Sequence, residues 1–199
     1  LLVPAGYGPQ LQPIHFWLLV FSTVLIAAAG NIINDYFDTR IDRINKPDEV
    51  IVGRTVKRRV AMTAHMLLSG MGLVIGAFVA WRSGLLKLTW IPLFSIAALW
   101  LYSTNLKRSL VIGNVLVATL TALVPLSVGL YEIPLLAKLF ADPVVIAAGG
   151  EAYQMEAGFI IELWWWVLGF AGFAFLSSLV RELQKDMADV KGDAAVGCR

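Results

Sequence analysis

Four polar side chains, Asn31, Asp35, Asp38 and Asp42, fall at offsets 0, 4, 7 and 11, and Glu182, Asp186, Asp189 and Asp193 repeat those offsets far along the sequence. At about 100° per residue, each set lies within an arc of about 60° on a helix, a single stripe of ligand oxygens. A stripe of ionised carboxylates repels itself, and two facing stripes repel further unless cations lie between them. Hard divalent cations take carboxylate and amide oxygens, and Mg²⁺ typically combines one or two carboxylates with substrate phosphates. The pattern therefore points to a site for a Mg²⁺-bridged phosphate or diphosphate. Arg40, Arg43, Arg54, Lys57 and Lys107 stand nearby in the sequence to take remaining phosphate charge.

The elements that must carry these stripes are membrane helices. Of 199 residues, 58% are hydrophobic and 15% charged, against about 25% charged in ordinary soluble domains. Mean hydropathy is +0.74. Several stretches approach the roughly 20 charge-free residues that a bilayer demands of a helix. Their length and uniform apolarity exclude a barrel, whose strands are short and alternate. The expected fold is all-α, a polytopic bundle of about five spans: Phe16–Tyr36, Val60–Trp81, Leu85–Tyr102, Leu110–Tyr131 and Gly158–Val180. The stretch between the last two, with Pro134, Pro143 and Gly149–Gly150, reads as too broken to span.

Lys and Arg set the orientation. Thirteen of the 16 fall after spans one, three and five, leaving Arg82, Lys87 and Lys138 on the other side. Both acidic stripes then emerge on the cytoplasmic side. A single acidic cluster at a helix end reads equally well as a solvated loop; two with matched spacing on one side do not. Asp near a helix C-terminus is also mildly unfavourable without compensation. The net charge of +2 suggests no nucleic-acid partner. The single cysteine, Cys198, excludes an intrachain disulfide and any multi-cysteine metal site.

At these residues the chain resembles the UbiA-type intramembrane prenyltransferases. Asn34, Asp35, Asp38 and Asp42 match the N-D-x-x-D-x-x-x-D signature, and Asp186, Asp189 and Asp193 match D-x-x-D-x-x-x-D. "YSTNLK" supplies the intervening Tyr102 and Lys107, one residue further apart than the common Y-x-x-x-K. The usual Arg-Pro after the first motif is replaced by "NKPDEVIVGR", with Arg54 as the candidate substitute. The family has about nine spans. The resemblance thus implies a single transmembrane prenyltransferase domain over 1–199, incomplete at both ends.

What the resemblance implies further is a reaction. Two Mg²⁺ ions, held by Asn34, Asp35, Asp38, Asp42, Asp186, Asp189 and Asp193, grip the diphosphate of a polyprenyl diphosphate whose tail lies in the bilayer. Asn34, Arg54 and Lys107 contact the diphosphate, and Lys107 stabilises the leaving group. Tyr102 shields the allylic cation with its ring face. An electron-rich acceptor attacks, in a site that excludes water. The run "YSTNLKRSLVIGNVLVA" followed by "KDMADVKGD" resembles most the branch acting on geranylgeranylglyceryl phosphate in lipid biosynthesis. Aromatic acceptors of quinone biosynthesis (4-hydroxybenzoate, dihydroxynaphthoate, homogentisate) are the alternative. The expected location is the inner membrane, with the active-site loops cytoplasmic.

Two other classes compete. CDP-alcohol phosphotransfer needs D-G-x-x-A-R, and the chain has no Asp-Gly. A transporter usually carries ionisable residues or broken helices near mid-membrane, whereas these span interiors are nearly charge-free. "LWWWV" at Trp164–Trp166 reads as an interfacial belt. Gly70, Gly72 and Gly76 read as close helix packing. His15 and His65 each serve at most as an orienting or interface residue. The acidic residues of 132–162 read as a solvated loop on the far side.

Overall fold

The computed structural model describes residues 8–45, 47–48, 50–140 and 157–196, without the side chains of 40, 41, 45, 108, 110, 140, 157, 158 and 188–196. Five long helices account for nearly all of it. They are α1 (Pro13–Asn45), α2 (Arg58–Arg82), α3 (Trp90–Thr104), α4 (Leu110–Phe140) and α5 (Ala157–Val196). A 3₁₀ turn at Leu86–Thr89 leads into α3, and another at Leu106–Arg108 joins α3 to α4. Five segments are long and apolar enough to cross a membrane: Pro13–Thr39, Arg58–Arg82, Leu86–Thr104, Val111–Leu139 and Phe159–Met187. The chain is an integral membrane protein, with all-α architecture.

Helix α1 packs against α2, and α4 against α5. Small residues set the α1–α2 distance. A Cβ at Gly72 would lie 2.6 Å from Ile26 and 3.1 Å from the Ser22 carbonyl, and one at Gly76 would meet Pro92 and Ser22 at 3.0 Å. The Ser22 hydroxyl donates to the Gly72 carbonyl at 2.6 Å. His65, buried on α2, adds a 2.9 Å bond between Nδ1 and the Ala29 carbonyl. Such close approach suits a bilayer, where lipid gives helices no hydrophobic reason to associate. Gly70 differs from the expectation: a Cβ there meets nothing within 4 Å, because it lies on the other side of α2 from Gly72.

Helices α1, α4 and α5 overrun the expected spans, and α4 does so through two prolines. This helix passes through Pro125 and Pro134 and reaches Phe140, so the segment after Tyr131 is not the broken loop that its prolines suggest. A helix-interior proline costs about 3 kcal/mol in water. Breaking the helix in hydrocarbon would strand several backbone groups, each at a cost of several kcal/mol. Ile133 and Leu136 from this segment are buried against Leu163 of α5. The reading of 132–162 as a solvated loop fails at Glu132 as well: its carboxylate accepts from the backbone N–H groups of Gln10 at 2.7 Å and Leu11 at 3.1 Å. Those amides immediately precede α1, where unpaired donors gather and an anion is favoured. Residues 141–156 lie outside the described residues. Trp165 and Trp166 are exposed on α5, as a belt requires.

Candidate active site

The first acidic stripe lies on the last three turns of α1 rather than beyond the helix. Asp38 is buried there, and its carboxylate pairs with the Lys107 ammonium. Lys107 arrives from the 3₁₀ turn that follows α3. Asn34, one turn before Asp38 on the same face, has a buried Oδ1 with no hydrogen-bond donor among the described residues. Asp42, just beyond the membrane-spanning part of α1, is held above its ordinary carboxylate value by burial first and the Asp38 charge second, with Lys107 opposing.

The second stripe rides on α5. Asp186 accepts a hydrogen bond from Asn114 Nδ2 at 2.6 Å, and Asn114 is itself buried on α4. Glu182, one turn earlier, is 3% exposed and accepts from Arg181 Nη2 at 2.7 Å. Asp189 and Asp193 lie within α5, with side chains outside the described residues.

The two stripes meet at Tyr102, near the C-terminus of α3. This buried phenol stands within electrostatic reach of Glu182 and Asp186 on α5 and of Asp38 on α1. Lys185 of α5 in turn acts on Asp35 and Asp42 of α1. The predicted Tyr102–Lys107 pair thus sits between two acidic helix faces. Arg54 is not brought to that group. Its guanidinium donates to the Pro47 carbonyl at 3.2 Å, and among the described residues the charges acting on Asp42 are those of Asp38, Lys107, Asp35 and Lys185.

Among the described residues, no three Asp, Glu, His or Cys side chains are close enough to share an ion. The donor set nonetheless fits a hard divalent cation. Asn34 leaves an amide oxygen buried without a donor among the described residues, and Asp42 lies half-buried in the field of the Asp38 charge. Lys107 holds a positive charge against Asp38, where a bound cation would otherwise supply one.

Below this charged group lies an apolar cavity of about 310 Å³, within the usual range for ligand pockets. It is bounded by α1, α3 and α4, with Leu19 and Tyr131 toward the far side and Asn31 and Arg181 toward the charged group. Leu19 and Asn31 are 12 residues apart on α1, so the cavity runs about 18 Å along the membrane normal.

Sequence spacing did not single out Asn114, Lys185 or Arg181 as part of this site. The one available signal was position: Arg181 and Lys185 flank the second stripe. Asn114 follows Gly113 on the first turns of α4. A Cβ on Gly113 would lie 2.8 Å from the Leu106 carbonyl and 3.3 Å from the Tyr102 ring. The pair therefore admits the Lys107 turn on one side and holds Asp186 on the other. Gly113→Ala should displace the turn, because a backbone carbonyl cannot rotate away. The expected result is a loss of turnover of about tenfold to a hundredfold, in line with misplacement of catalytic groups by about 1 Å. Steady-state kinetics in detergent, with thermal unfolding alongside, would read it.

The family model described as the UbiA prenyltransferase family matches residues 3–199. The chain is 33% identical over 186 residues to digeranylgeranylglyceryl phosphate synthase of Metallosphaera sedula, covering 94% of this chain and 55% of that protein. It is 34% identical over 180 residues to the synthase of the same name from Methanoregula boonei, covering 90% and 53%. For that of Thermococcus kodakarensis the figures are 31% over 202 residues, covering 100% and 58%. The chain thus spans about half the length of the curated relatives it matches. A solved structure described as "Structural and mechanistic insights into the biosynthesis of Digeranylgeranylglyceryl phosphate synthase in membranes" superposes with a TM-score of 0.59 at 27% identity, covering 94% of this chain and 55% of that one.

Proposed function

The chain belongs to the UbiA prenyltransferase family, and from that premise we propose that the protein transfers a geranylgeranyl group from its diphosphate to geranylgeranylglyceryl phosphate in lipid biosynthesis. The observation that carries this reading is the position of Tyr102 and Lys107 between two acidic helix faces, above an apolar cavity. The acceptor comes from the relatives named digeranylgeranylglyceryl phosphate synthase. The protein sits in the inner membrane with this mouth toward the cytoplasm, in keeping with the excess of Lys and Arg there.

Asn34, Asp35, Asp38, Asp42, Asp186, Asp189 and Asp193 would hold Mg²⁺. Bound there, the metal supplies charge neutralisation for the diphosphate leaving group. The chain's own residues do the rest. The cavity takes the prenyl tail and keeps water from the reacting carbon. Lys107 gives up part of its pairing with Asp38 to the diphosphate as the C1–O bond breaks, and so stabilises the departing charge. Asn114 keeps the Asp186 carboxylate oriented. Tyr102 presents its ring to the carbon that turns cationic. The acceptor hydroxyl oxygen then bonds to C1 and gives up its proton to the released diphosphate. Arg54 is assigned a lesser, outer role toward the diphosphate, since its own loop already engages it.

Full-length protein in liposomes, given geranylgeranyl diphosphate and a panel of acceptors, tests the proposal. The expected result is an ether product with geranylgeranylglyceryl phosphate, abolished by EDTA and restored by Mg²⁺. Product with aromatic acceptors alone would move the protein to quinone biosynthesis. No product with any acceptor, and no thermal protection by Mg²⁺ plus a diphosphate analogue, would remove it from the transferases.

A further inference from the structure

We propose that Arg181 is the seat for the phosphate of the acceptor, with Asn31 opposite it across the cavity mouth; this rests on the acceptor assignment above. Arg181 is the one charged residue among the described residues that line the intramembrane cavity. A charge placed there needs a partner, and such residues in a membrane are functional by default.

The Arg181–Glu182 pair is lopsided. The Glu182 side chain is 3% exposed while that of Arg181 is 74% exposed. The carboxylate is fixed within the protein and receives one guanidinium nitrogen, at 2.7 Å. A guanidinium has five N–H donors in a rigid fork, so this bond orients the group and leaves the other donors facing outward. A phosphate monoester can take two parallel N–H···O bonds from that planar fork.

Position separates this seat from that of the diphosphate. Glu182, Asp38, Asp186 and the Asp38-paired Lys107 surround Tyr102, where the proposed function places the diphosphate, and a second phosphate set beside that diphosphate would be repelled by it. Arg181 comes five residues before Asp186 on α5, a little over one turn deeper into the membrane. It still acts electrostatically on Tyr102. A glycerol backbone is short, so a phosphate anchored at Arg181 holds the attacking hydroxyl beside the reacting carbon. Asn31, exposed on the first turn of the α1 stripe, lines the same mouth and offers an amide N–H₂ to the same phosphate.

The test compares Arg181→Gln and Arg181→Lys with wild type in liposomes, using the phosphorylated acceptor and geranylgeranylglycerol, which lacks the phosphate. Arg181→Gln should raise KM for the phosphorylated acceptor by about tenfold to a hundredfold, the range for a lost charge-assisted bond. The KM for geranylgeranyl diphosphate should stay within about twofold, and Arg181→Lys should recover part of the loss. With geranylgeranylglycerol the wild type and variants should be alike. Inorganic phosphate should compete with the acceptor in wild type and not in Arg181→Gln. Repeating the comparison in zwitterionic and anionic vesicles distinguishes the acceptor's phosphate from a lipid headgroup: the penalty should be the same in both. Because Arg181→Gln strands a buried carboxylate, the Arg181→Gln/Glu182→Gln pair controls for folding and should show the same acceptor-specific loss. Equal losses with both acceptors, a parallel rise in donor KM, or a penalty that vanishes in zwitterionic vesicles would overturn this assignment while leaving the proposed function intact. A wild-type protein that ignores the phosphorylated acceptor would overturn both.

Discussion

Asp38→Ala should reduce prenyl transfer by about a thousandfold, the upper end of the scale for removing a preorganised group that faces the reacting centre. Three observations make this the most sensitive position. Asp38 is 4% exposed, so no solvent charge replaces it. It is the α1 carboxylate that pairs directly with Lys107. It is also the α1 charge that reaches Tyr102, where the α5 carboxylates converge. Removal leaves Lys107 without its carboxylate and the α1 stripe with Asp35 and Asp42 alone. The variant should still insert, because the α1–α2 contacts at Ser22, Gly72 and His65 lie well along α1 from residue 38. Turnover with radiolabelled donor, beside thermal unfolding with and without Mg²⁺ plus a diphosphate analogue, measures both. Near-normal turnover in a folded variant would refute the assignment of the α1 stripe.

Lys107→Gln should cost about a hundredfold to a thousandfold in kcat, consistent with loss of a donor to a developing anion. The loss has two sources. Lys107 no longer neutralises the leaving diphosphate, and Asp38 becomes a buried carboxylate without its counter-charge, which alone costs several kcal/mol. A double-mutant cycle separates them. Because both residues act on one pair, Asp38→Ala/Lys107→Gln should be little worse than Asp38→Ala alone. Additive losses would mean that the two side chains work independently.

The sequence carried the parts of this architecture that depend on period and composition. Long charge-free stretches give the five spans, and the repeated 0, 4, 7, 11 spacing places each acidic set on one face whichever way the helix packs. The Tyr102–Lys107 pair was legible through family resemblance. Other features depend on contacts between helices, which no single-helix pattern encodes. Asn114 joins the site only because α4 lies against α5, and Arg181 because α5 brings it to the mouth of the cavity. The length of α4 is not legible for a different reason: proline signals a break where water can satisfy the backbone, and here it stands in a helix packed on α5 within an apolar surrounding. Arg54 follows the first motif in sequence, and the turn at Gly53, with φ of +84°, ties its loop to itself.

The carboxylate of Glu132 has a mechanical consequence. It grips the chain just ahead of α1 at the membrane face opposite the acidic residues. Helix α1 is 33 residues long, hence about 50 Å from end to end. Glu132 fastens one end of a rod that Ser22 and His65 hold at mid-length and Lys107 holds near the other end. A rod pinned at three points cannot slide or tilt at one of them alone. An acidic residue at one membrane face thus shares in fixing where Asp38 stands at the other.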